Sequence, residues 1–363
     1  MKLAPTTIEE LQERVREGGR LLPRGGGTKS ALSSPNDGSD AVEVVGLSGL
    51  IEYEPSEFTF TALVGTRLSD IAPLLAENGQ FLPFDPLFVE RGATLGGSLA
   101  AGLSGPGRYH YGGLRDFILG VKYLNGAGEI VRAGGKVVKN AAGFDIPKLM
   151  VGSLGSLGVL VELTFKVLPR PEKTLTLRLA CDDLEGALQT QFKLFPCPLD
   201  IDALDLEISP SEAVLWVRLA GYGGVLPKRL SRLRELVGGG EVFEAQDEER
   251  IWHGVREMKW VPDGWSLVKA PITPGRIETL EQGLERAFEE VEIRRRYSCG
   301  GQITWLAFPG SLEKMDDVLG EQSLPGLVVF GPPGKRRLGK ASGASFYRRI
   351  KQALDPDQRF VEV

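Results

Sequence analysis

The chain has 363 residues, of which 42% are hydrophobic and 25% are charged, a composition typical of a globular protein with about two domains. The net charge of −5 argues against a nucleic-acid-binding surface, and no apolar run approaches the roughly eighteen residues that a transmembrane helix needs. The three cysteines are too few and too scattered for a disulfide framework or an iron–sulfur cluster, and two histidines cannot form a histidine-rich metal site. The N-terminus has no apolar segment of the kind that a secretory signal needs. We therefore expect a cytoplasmic protein without a bound metal.

The first eighty residues predict alternating helices and strands. The stretch "TIEELQERVREGG" predicts a helix with Thr7 and Glu10 as its capping box. A strand in "RLLP" leads into the glycine-rich "PRGGGTKS", and "AVEVVGL" and "TFTALVG" predict further strands. The helix in "SDIAPLLAENG" should have Ser69 as its N-cap, because Pro73 is tolerated only in a first turn.

Residues 84–116 predict mostly loop, and a loop of that length inside a compact domain usually has a function. The following segment predicts a β-hairpin that turns between Asn125 and Gly128. A short helix, a glycine loop and a strand from Val159 to Val167 come next, and Pro169 and Pro171 mark a boundary. Beyond it, strand-like and helix-like segments alternate, which predicts an α+β region with an antiparallel sheet and helices on one face.

Three glycine-rich loops can expose peptide N–H groups to an anion: 23–28, 92–98 and 152–158. The first is not a Walker A loop because Thr28 precedes Lys29, and the third lacks the G-x-G-x-x-G spacing of a Rossmann fingerprint. A Walker-like spacing at 334–341 has Ala341 in place of the magnesium ligand. We predict that 23–28 and 92–98 face one diphosphate; the alternative is that they are ordinary turns.

The order of "PRGGGTKS", "PFDP" and the stretch from "GATLGGS" to "KVLPRP" resembles the FAD-binding domain of the vanillyl-alcohol-oxidase-type (PCMH-type) flavoproteins. Within that family it is most similar to the FAD-binding subunits of bacterial glycolate oxidase. The resemblance is strong over about residues 20–171 and weak beyond. It implies an α+β fold class: a two-subdomain FAD-binding domain at 1–171, an α+β cap domain with an antiparallel sheet at 172–340, and a C-terminal helix and tail at 341–363 that we expect to pack back on the FAD domain.

The resemblance also implies, by position, which residues contact FAD. The first loop would hold the pyrophosphate, the segments 104–116 and 139–145 would line the isoalloxazine ring, and the end of the third loop would contact the adenine side. No histidine lies in the first loop, so we expect non-covalent FAD. The residues implied are Pro23, Arg24, Gly25, Gly26, Gly27, Thr28, Lys29, Pro86, Gly92, Ala93, Thr94, Gly96, Gly97, Ser98, Ser104, Gly105, Arg108, Tyr109, Asn140, Gly143, Gly158 and Val159.

Candidate catalytic residues are few. Charge that develops near the flavin N1 and C2=O needs a cation or N–H group, for which motif position offers Arg108, Arg115 and Lys139. The alternative for Arg115 is an ion pair with the adjacent Asp116. His110 could act as a general base or be an exposed loop histidine, and Lys269 could bind a substrate carboxylate or be a solvated lysine. For His253, packing on a helix is the preferred interpretation.

The resemblance therefore implies a FAD-dependent oxidoreductase: a subunit of a glycolate-oxidase-like 2-hydroxy-acid dehydrogenase complex that takes part in flavin-mediated electron transfer. The implied partners are a second flavin subunit, an iron–sulfur subunit and a small 2-hydroxy acid, and any membrane association is expected through partner subunits. Residues 172–340 lack the histidine cluster of related 2-hydroxy-acid dehydrogenases, so two alternatives stay open. These are a stand-alone FAD-dependent oxidase of an alcohol or hydroxy acid and a non-catalytic flavin-binding assembly subunit.

Overall fold

The computed structural model of the chain describes residues 4–35, 38–136, 144–209, 212–341 and 343–362. The chain divides into two units. Unit 1 comprises Met1–Gly105, Gly112–Arg170 and Gly343–Val363, and unit 2 comprises Pro106–Tyr111 and Pro171–Ser342. Among the described residues, no helix combines the length and the hydropathy that crossing a bilayer requires.

Helices and strands occur throughout the described part of the chain. The helices are α1 Ile8–Glu17, α2 Ser30–Ser33, α3 Leu68–Glu77, α4 Leu95–Ala101, α5 Arg108–Tyr111, α6 Leu114–Phe117, α7 Ile146–Met150, α8 Leu184–Leu194, α9 Leu226–Val237, α10 Ala245–Arg256, α11 Ile277–Ala287, α12 Glu313–Glu321 and α13 Ala344–Leu354. The strands are β1 Leu21–Arg24, β2 Asp40–Glu43, β3 Leu50–Glu54, β4 Thr59–Leu63, β5 Gln80–Phe81, β6 Ile118–Leu124, β7 Ile130–Gly134, β8 Val159–Lys166, β9 Leu168–Pro169, β10 Lys173–Cys181, β11 Ile201–Ile208, β12 Ala213–Gly221, β13 Glu241–Glu244, β14 Ser266–Pro271, β15 Arg294–Ser298, β16 Ile303–Phe308, β17 Pro325–Phe330 and β18 Arg337–Gly339.

Unit 1 is built around a five-stranded antiparallel sheet in the order β3-β4-β8-β6-β7. Its core includes Phe165, whose ring lies 5.8 Å from that of Phe60 and 5.5 Å from that of Phe84. A separate parallel pair joins β1 to β2. Strand β1 ends at Arg24, so it delivers the chain directly into the first glycine loop.

The start of α1 agrees with the prediction in part. Thr7 is the N-cap, and its hydroxyl accepts a hydrogen bond from the Glu10 N–H at 3.2 Å. The Glu10 carboxylate accepts mainly from the N–H of Thr6, at 2.7 Å, and only weakly from the N–H of Thr7. The hydrogen bonds of Glu10 lower its pKa from the ordinary value.

The prediction for α3 was wrong at its first turn. The helix begins at Leu68 with Arg67 as N-cap, so Ser69 lies inside it and Pro73 lies in the second turn. The cause is a tertiary contact: the Leu68 N–H donates to the Ala93 carbonyl at 3.0 Å, which fixes the start of the helix against the second glycine loop.

The stretch 84–116 is mostly loop, as predicted, but it also contains the short helices α4, α5 and α6. Helix α4 starts in the second glycine loop, where Thr94 is the N-cap and its hydroxyl accepts from the Gly97 N–H at 3.1 Å. Two non-glycine residues in the preceding loop, Asp85 and Phe88, have φ values of 51° and 62°. Such backbone conformations cost of order 1–3 kcal/mol each and are concentrated at ligand sites.

Unit 2 is built on a nine-stranded sheet in the order β13-β10-β12-β11-β15-β16-β14-β17-β18, in which neighbouring strands are antiparallel. The antiparallel sheet was predicted, but its strands β11, β13, β15 and β18 were not. Strands β11 and β15 carry buried charges: Arg296 donates to Asp205 at 2.8 Å, and Arg218 donates to Asp202. The short helix α5, from residues far earlier in the chain, packs on β11.

Candidate functional site

The first and second glycine loops meet in unit 1. A Cβ atom added to Gly25 would lie 2.4 Å from the Thr94 hydroxyl and 3.6 Å from the Gly97 nitrogen. A Cβ atom on Gly26 would lie 2.0 Å from the Gly92 carbonyl oxygen. Real Cβ atoms do not approach that closely, so the glycines at 25 and 26 are what allows the two loops to touch.

Together the two loops form a groove, which we call the diphosphate groove. Its lining residues are Pro23, Arg24, Gly25, Gly26, Gly27, Thr28, Lys29, Leu32, Ser33, Thr94, Gly97, Ala100, Ala101 and Leu154. The Arg24 guanidinium folds back over Gly27, which has a φ of 66°. The Arg24 Nε lies 3.5 Å from a carboxylate oxygen of Glu43. The groove therefore combines peptide N–H groups with a cation that a neighbouring carboxylate holds in place.

Lys29 supplies a second cation to the diphosphate groove. Its side chain is 6% exposed, with Nζ 3.0 Å from the Thr28 hydroxyl and 5.3 Å from the centre of the Phe88 ring. Burial lowers its pKa from 10.5 to about 8, and among the described residues no carboxylate forms an ion pair with it. A buried ammonium without a counter-ion is costly in the empty protein, and an anion in the groove would neutralise it.

A second groove, which we call the adenine groove, continues from the first. It is lined by Pro23, Gly25, Val44, Val64, Gly96, Gly97, Ala100, Gly155, Gly158, Val159 and Leu160. Most of these residues are apolar or lack a side chain, and a Cβ atom on Gly96 would lie 2.7 Å from that of Val64. A flat aromatic ring suits such a narrow apolar groove.

Other residues that the sequence singled out do not line either groove. Gly92, Ala93 and Ser98 belong to the second loop but do not line a groove: the Ala93 N–H donates to the Phe88 carbonyl and the Ser98 N–H to the Thr94 carbonyl. Pro86, Ser104 and Gly105 form a separate part of unit 1, where the Gly105 N–H donates to the Asp85 carbonyl at 2.7 Å. Lys139, Asn140 and Gly143 lie outside the described residues.

Several groove residues were missed. Val44, Val64, Ala100, Leu154 and Leu160 contribute ordinary apolar side chains, for which the sequence carries no distinguishing signal. Gly155 did carry one, since it belongs to the third glycine loop, and a Cβ atom there would lie 3.1 Å from the Pro23 ring.

Arg108, Tyr109, His110 and Tyr111 belong to unit 2, where they form α5. The Tyr109 ring lies against Gly300: a Cβ atom added to Gly300 would be 2.8 Å from the nearest ring carbon of Tyr109. His110 Nδ1 lies 3.3 Å from the Asp200 carboxylate. Burial and the carboxylate of Asp202 raise the pKa of Tyr111, so its phenol stays protonated and donates to Asp202. These contacts hold α5 on unit 2.

Lys269 on the inner strand β14 is the second lysine with a perturbed pKa. Burial, and then the positive charge of Arg108, lower its pKa from 10.5 to about 8. Among the described residues, the side chain of Lys269 makes no ion pair. Two neighbouring cations, of which one is desolvated, would attract a carboxylate. The negative charge would offset both the desolvation of Lys269 and its repulsion by Arg108.

Arg115 and His253 show fewer features of a functional site. Arg115 lies on the exposed side of α6, and Asp116 accepts from the Gly113 N–H at 2.8 Å, which holds the start of that helix. His253 Nδ1 lies 3.4 Å from Lys259 Nζ on the exposed part of α10. Within the described ranges, no three His, Cys, Asp or Glu side chains are grouped closely enough to hold a metal ion.

Comparison with known proteins agrees with these features. The family model described as a FAD binding domain matches residues 2–134. The chain is 37% identical over 352 residues to the glycolate oxidase subunit GlcE of Escherichia coli (strain K12), a match that covers 96% of this chain and 93% of that protein. It is 31% identical over 214 residues to a D-lactate dehydrogenase of Anaerostipes hadrus, covering 59% of this chain and 44% of that protein.

A solved structure of an alkyldihydroxyacetonephosphate synthase superposes with a TM-score of 0.73 at 15% identity, covering 98% of this chain and 74% of that one, which shows a shared fold. The glycine cradle and the buried, unpaired Lys29 fit the diphosphate of a dinucleotide, and the family identifies that dinucleotide as FAD. The chain belongs to the same family of FAD-binding oxidoreductases as the glycolate oxidase subunit GlcE.

Proposed function

We propose that this chain is the FAD-binding subunit of a glycolate-oxidase-like complex and takes part in electron transfer from a small 2-hydroxy acid. The observation that carries the proposal is the diphosphate groove with its unpaired Lys29, in a chain 37% identical to GlcE over nearly the whole of both proteins. When bound, FAD supplies a ring that accepts a hydride from an alcohol carbon and passes the electrons on.

In this proposal the two grooves of unit 1 divide the cofactor between them. The peptide N–H groups of residues 25–28, together with Arg24 and Lys29, bind the diphosphate, and the adenine lies against Gly158 and Val159. Thr94 caps α4 and presents that helix start to the diphosphate groove. We assign non-covalent attachment, because the first glycine loop, where the family resemblance would place an attachment histidine, contains none.

On the substrate side, Arg108 and Lys269 of unit 2 bind the carboxylate of the 2-hydroxy acid. Their positive charges lie close enough for Arg108 to lower the pKa of Lys269, and a carboxylate would attract both. His110 has its Nδ1 3.3 Å from the Asp200 carboxylate, which orients the ring, and we assign it a positioning role.

The electrons leave to partner subunits. The described residues hold no cluster of metal ligands that could accept them. The name of the relative GlcE describes it as a glycolate oxidase subunit. By analogy, we assign this chain a second flavin subunit and an iron–sulfur subunit as partners.

The test is spectroscopic and then kinetic. The purified chain should show flavin absorbance, and acid should release intact FAD that mass spectrometry identifies. Glycolate added without oxygen should bleach the flavin only when the partner subunits are present. Bleaching in the isolated chain would favour a stand-alone oxidase instead. Reduction in neither case, with normal assembly of the complex, would favour a non-catalytic flavin-binding subunit. A colourless protein that takes up no FAD would refute the proposal.

A further inference from the structure

A fully buried ion pair lies near the end of the chain in unit 1. Lys351 of α13 is 1% exposed and Asp355, just beyond that helix, is 0% exposed. The Lys351 ammonium donates to the Ser156 carbonyl at 2.6 Å, to the Phe360 carbonyl at 2.8 Å and to the Asp355 carboxylate. An ammonium has three donors, so Lys351 uses all of them, and each goes to a different part of the chain.

The Asp355 carboxylate completes the arrangement by ordering the tail. It accepts hydrogen bonds from the Arg359 N–H at 2.8 Å and from the Phe360 N–H at 2.9 Å. The tail in turn lies along β1: the Leu21 N–H donates to the Arg359 carbonyl at 2.7 Å, and the Val361 N–H donates to the Leu21 carbonyl at 3.1 Å. Because β1 runs directly into the first glycine loop, the ion pair fixes one wall of the diphosphate groove.

The Ser156 carbonyl, the third acceptor of Lys351, belongs to a second segment beside the adenine groove. Ser156 lies in the turn 153–158, and two glycines of that turn, Gly155 and Gly158, line the adenine groove. The turn abuts β1, since a Cβ atom on Gly155 would lie 3.1 Å from the ring of Pro23. One ammonium thus connects β1, through the tail, to the neighbouring turn, and both segments line the adenine groove.

A purely stabilising role would not need charges at these positions. Apolar side chains of similar volume often replace a buried ion pair without loss of stability. A lysine with three directed hydrogen bonds does something that an apolar side chain cannot: it fixes the position of one segment relative to two others.

We propose that Lys351 and Asp355 are positioning residues for FAD, which set the separation of β1 and the turn 153–158 and thereby the width of the adenine groove. Neither residue lines the groove, so both act through Leu21 and Ser156. This inference goes beyond the proposed function, which assigns no role to the C-terminal segment.

The test compares FAD affinity with stability in matched variants of the full chain. Lys351→Met should raise the dissociation constant for FAD at least about tenfold, the equivalent of losing one hydrogen bond to a charged group. Adding Asp355→Leu removes the unpaired carboxylate, so the melting temperature of the FAD-free protein should recover in part, because the N–H groups of Arg359 and Phe360 still lack their acceptor. The dissociation constant should stay at least about tenfold raised. Hydrogen exchange of the amides at 21–27 and 153–158 should be faster in both variants.

Phe60→Ala is the control, because it removes a buried ring from the same unit at the far end of β4. It should lower the melting temperature and leave the FAD dissociation constant within about twofold, measured well below that temperature. A double variant that regains both the melting temperature and the wild-type dissociation constant would overturn the proposal. So would a loss of FAD affinity in Phe60→Ala as large as in Lys351→Met.

If Lys351→Met and the double variant do not fold, Asp355→Asn provides the test instead, because it changes a single group. Its amide keeps only one acceptor oxygen, so either Lys351 and the Phe360 N–H or the Arg359 N–H lose their acceptor. FAD affinity should therefore fall about threefold or more. Unchanged affinity and unchanged hydrogen exchange in Asp355→Asn would refute the positioning role. If the wild-type chain binds no FAD, the cofactor assignment fails, whereas exchange at 21–27 and 153–158 still tests the ion pair.

Discussion

Replacing Lys29 by methionine should make the FAD-free protein more stable and the FAD complex weaker. Burial lowers the pKa of Lys29 from 10.5 to about 8, so at neutral pH the folded protein carries a charge that its surroundings disfavour. At about 1.4 kcal/mol per pH unit, this costs the FAD-free state about 3 kcal/mol. Methionine has a similar length and no charge, so up to that amount should be regained in the free energy of unfolding.

The stability of the FAD-free protein should also depend on pH, in a direction that the pKa of Lys29 fixes. The unfolded chain binds a proton at Lys29 up to pH 10.5, whereas the folded chain releases it near pH 8. The stability of the wild-type FAD-free protein should therefore rise between these values, and that rise should be missing in Lys29→Met. Below pH 8 the difference between the two proteins should be constant.

The assay should report on unit 1 alone. All five tryptophans lie between residues 216 and 305, in unit 2, so tryptophan fluorescence serves as an internal control. Hydrogen exchange of the strands β4 and β8 reports the opening of unit 1. Lys148→Met is the matched control, because Lys148 is exposed and its ion pair with Asp145 should contribute less than about 1 kcal/mol. Faster exchange in Lys29→Met than in the wild type would refute the reasoning.

Three further predictions concern the ligands. Gly25→Ala should abolish detectable FAD binding in a fluorescence titration, because the added methyl group would collide with Thr94; binding within about threefold of wild type would contradict the shared groove. FAD affinity should fall by up to about tenfold per pH unit above pH 8, because the complex must take up a proton at Lys29, and a flat profile between pH 7 and 10 would exclude that coupling. Lys269→Met should weaken glycolate binding about tenfold in the reconstituted complex, followed by the perturbed flavin spectrum, whereas the exposed Lys259→Met should not; equal effects would remove Lys269 from the carboxylate site.

The first glycine loop could be recognised from the sequence because its chemistry is local. Three consecutive glycines followed by Thr28 and Lys29 favour close approach to an anion whatever surrounds them. The start of α3 was not readable, because it depends on a hydrogen bond from Leu68 to Ala93, twenty-five residues away. The local rule for Pro73 was sound as a preference, but the tertiary contact overrode it.

The strands β11 and β15 were missed for an electrostatic reason. Sequence patterns identify a buried strand by its apolar residues, whereas these strands bury Asp202, Asp205 and Arg296. Their charges are acceptable only because the neighbouring strands supply partners, such as Arg218 on β12. Pairing of this kind becomes visible only when the strand order is known.

The pairing of Leu21 with Phe360 has a consequence for biosynthesis. At roughly 5–20 residues per second, a ribosome needs about 20–70 seconds to proceed from one to the other. Throughout that time β1 lacks the contact that Phe360 gives it. Unit 1 therefore cannot complete its native contacts before residue 360 has been synthesised, and a chain truncated before residue 355 would never complete them.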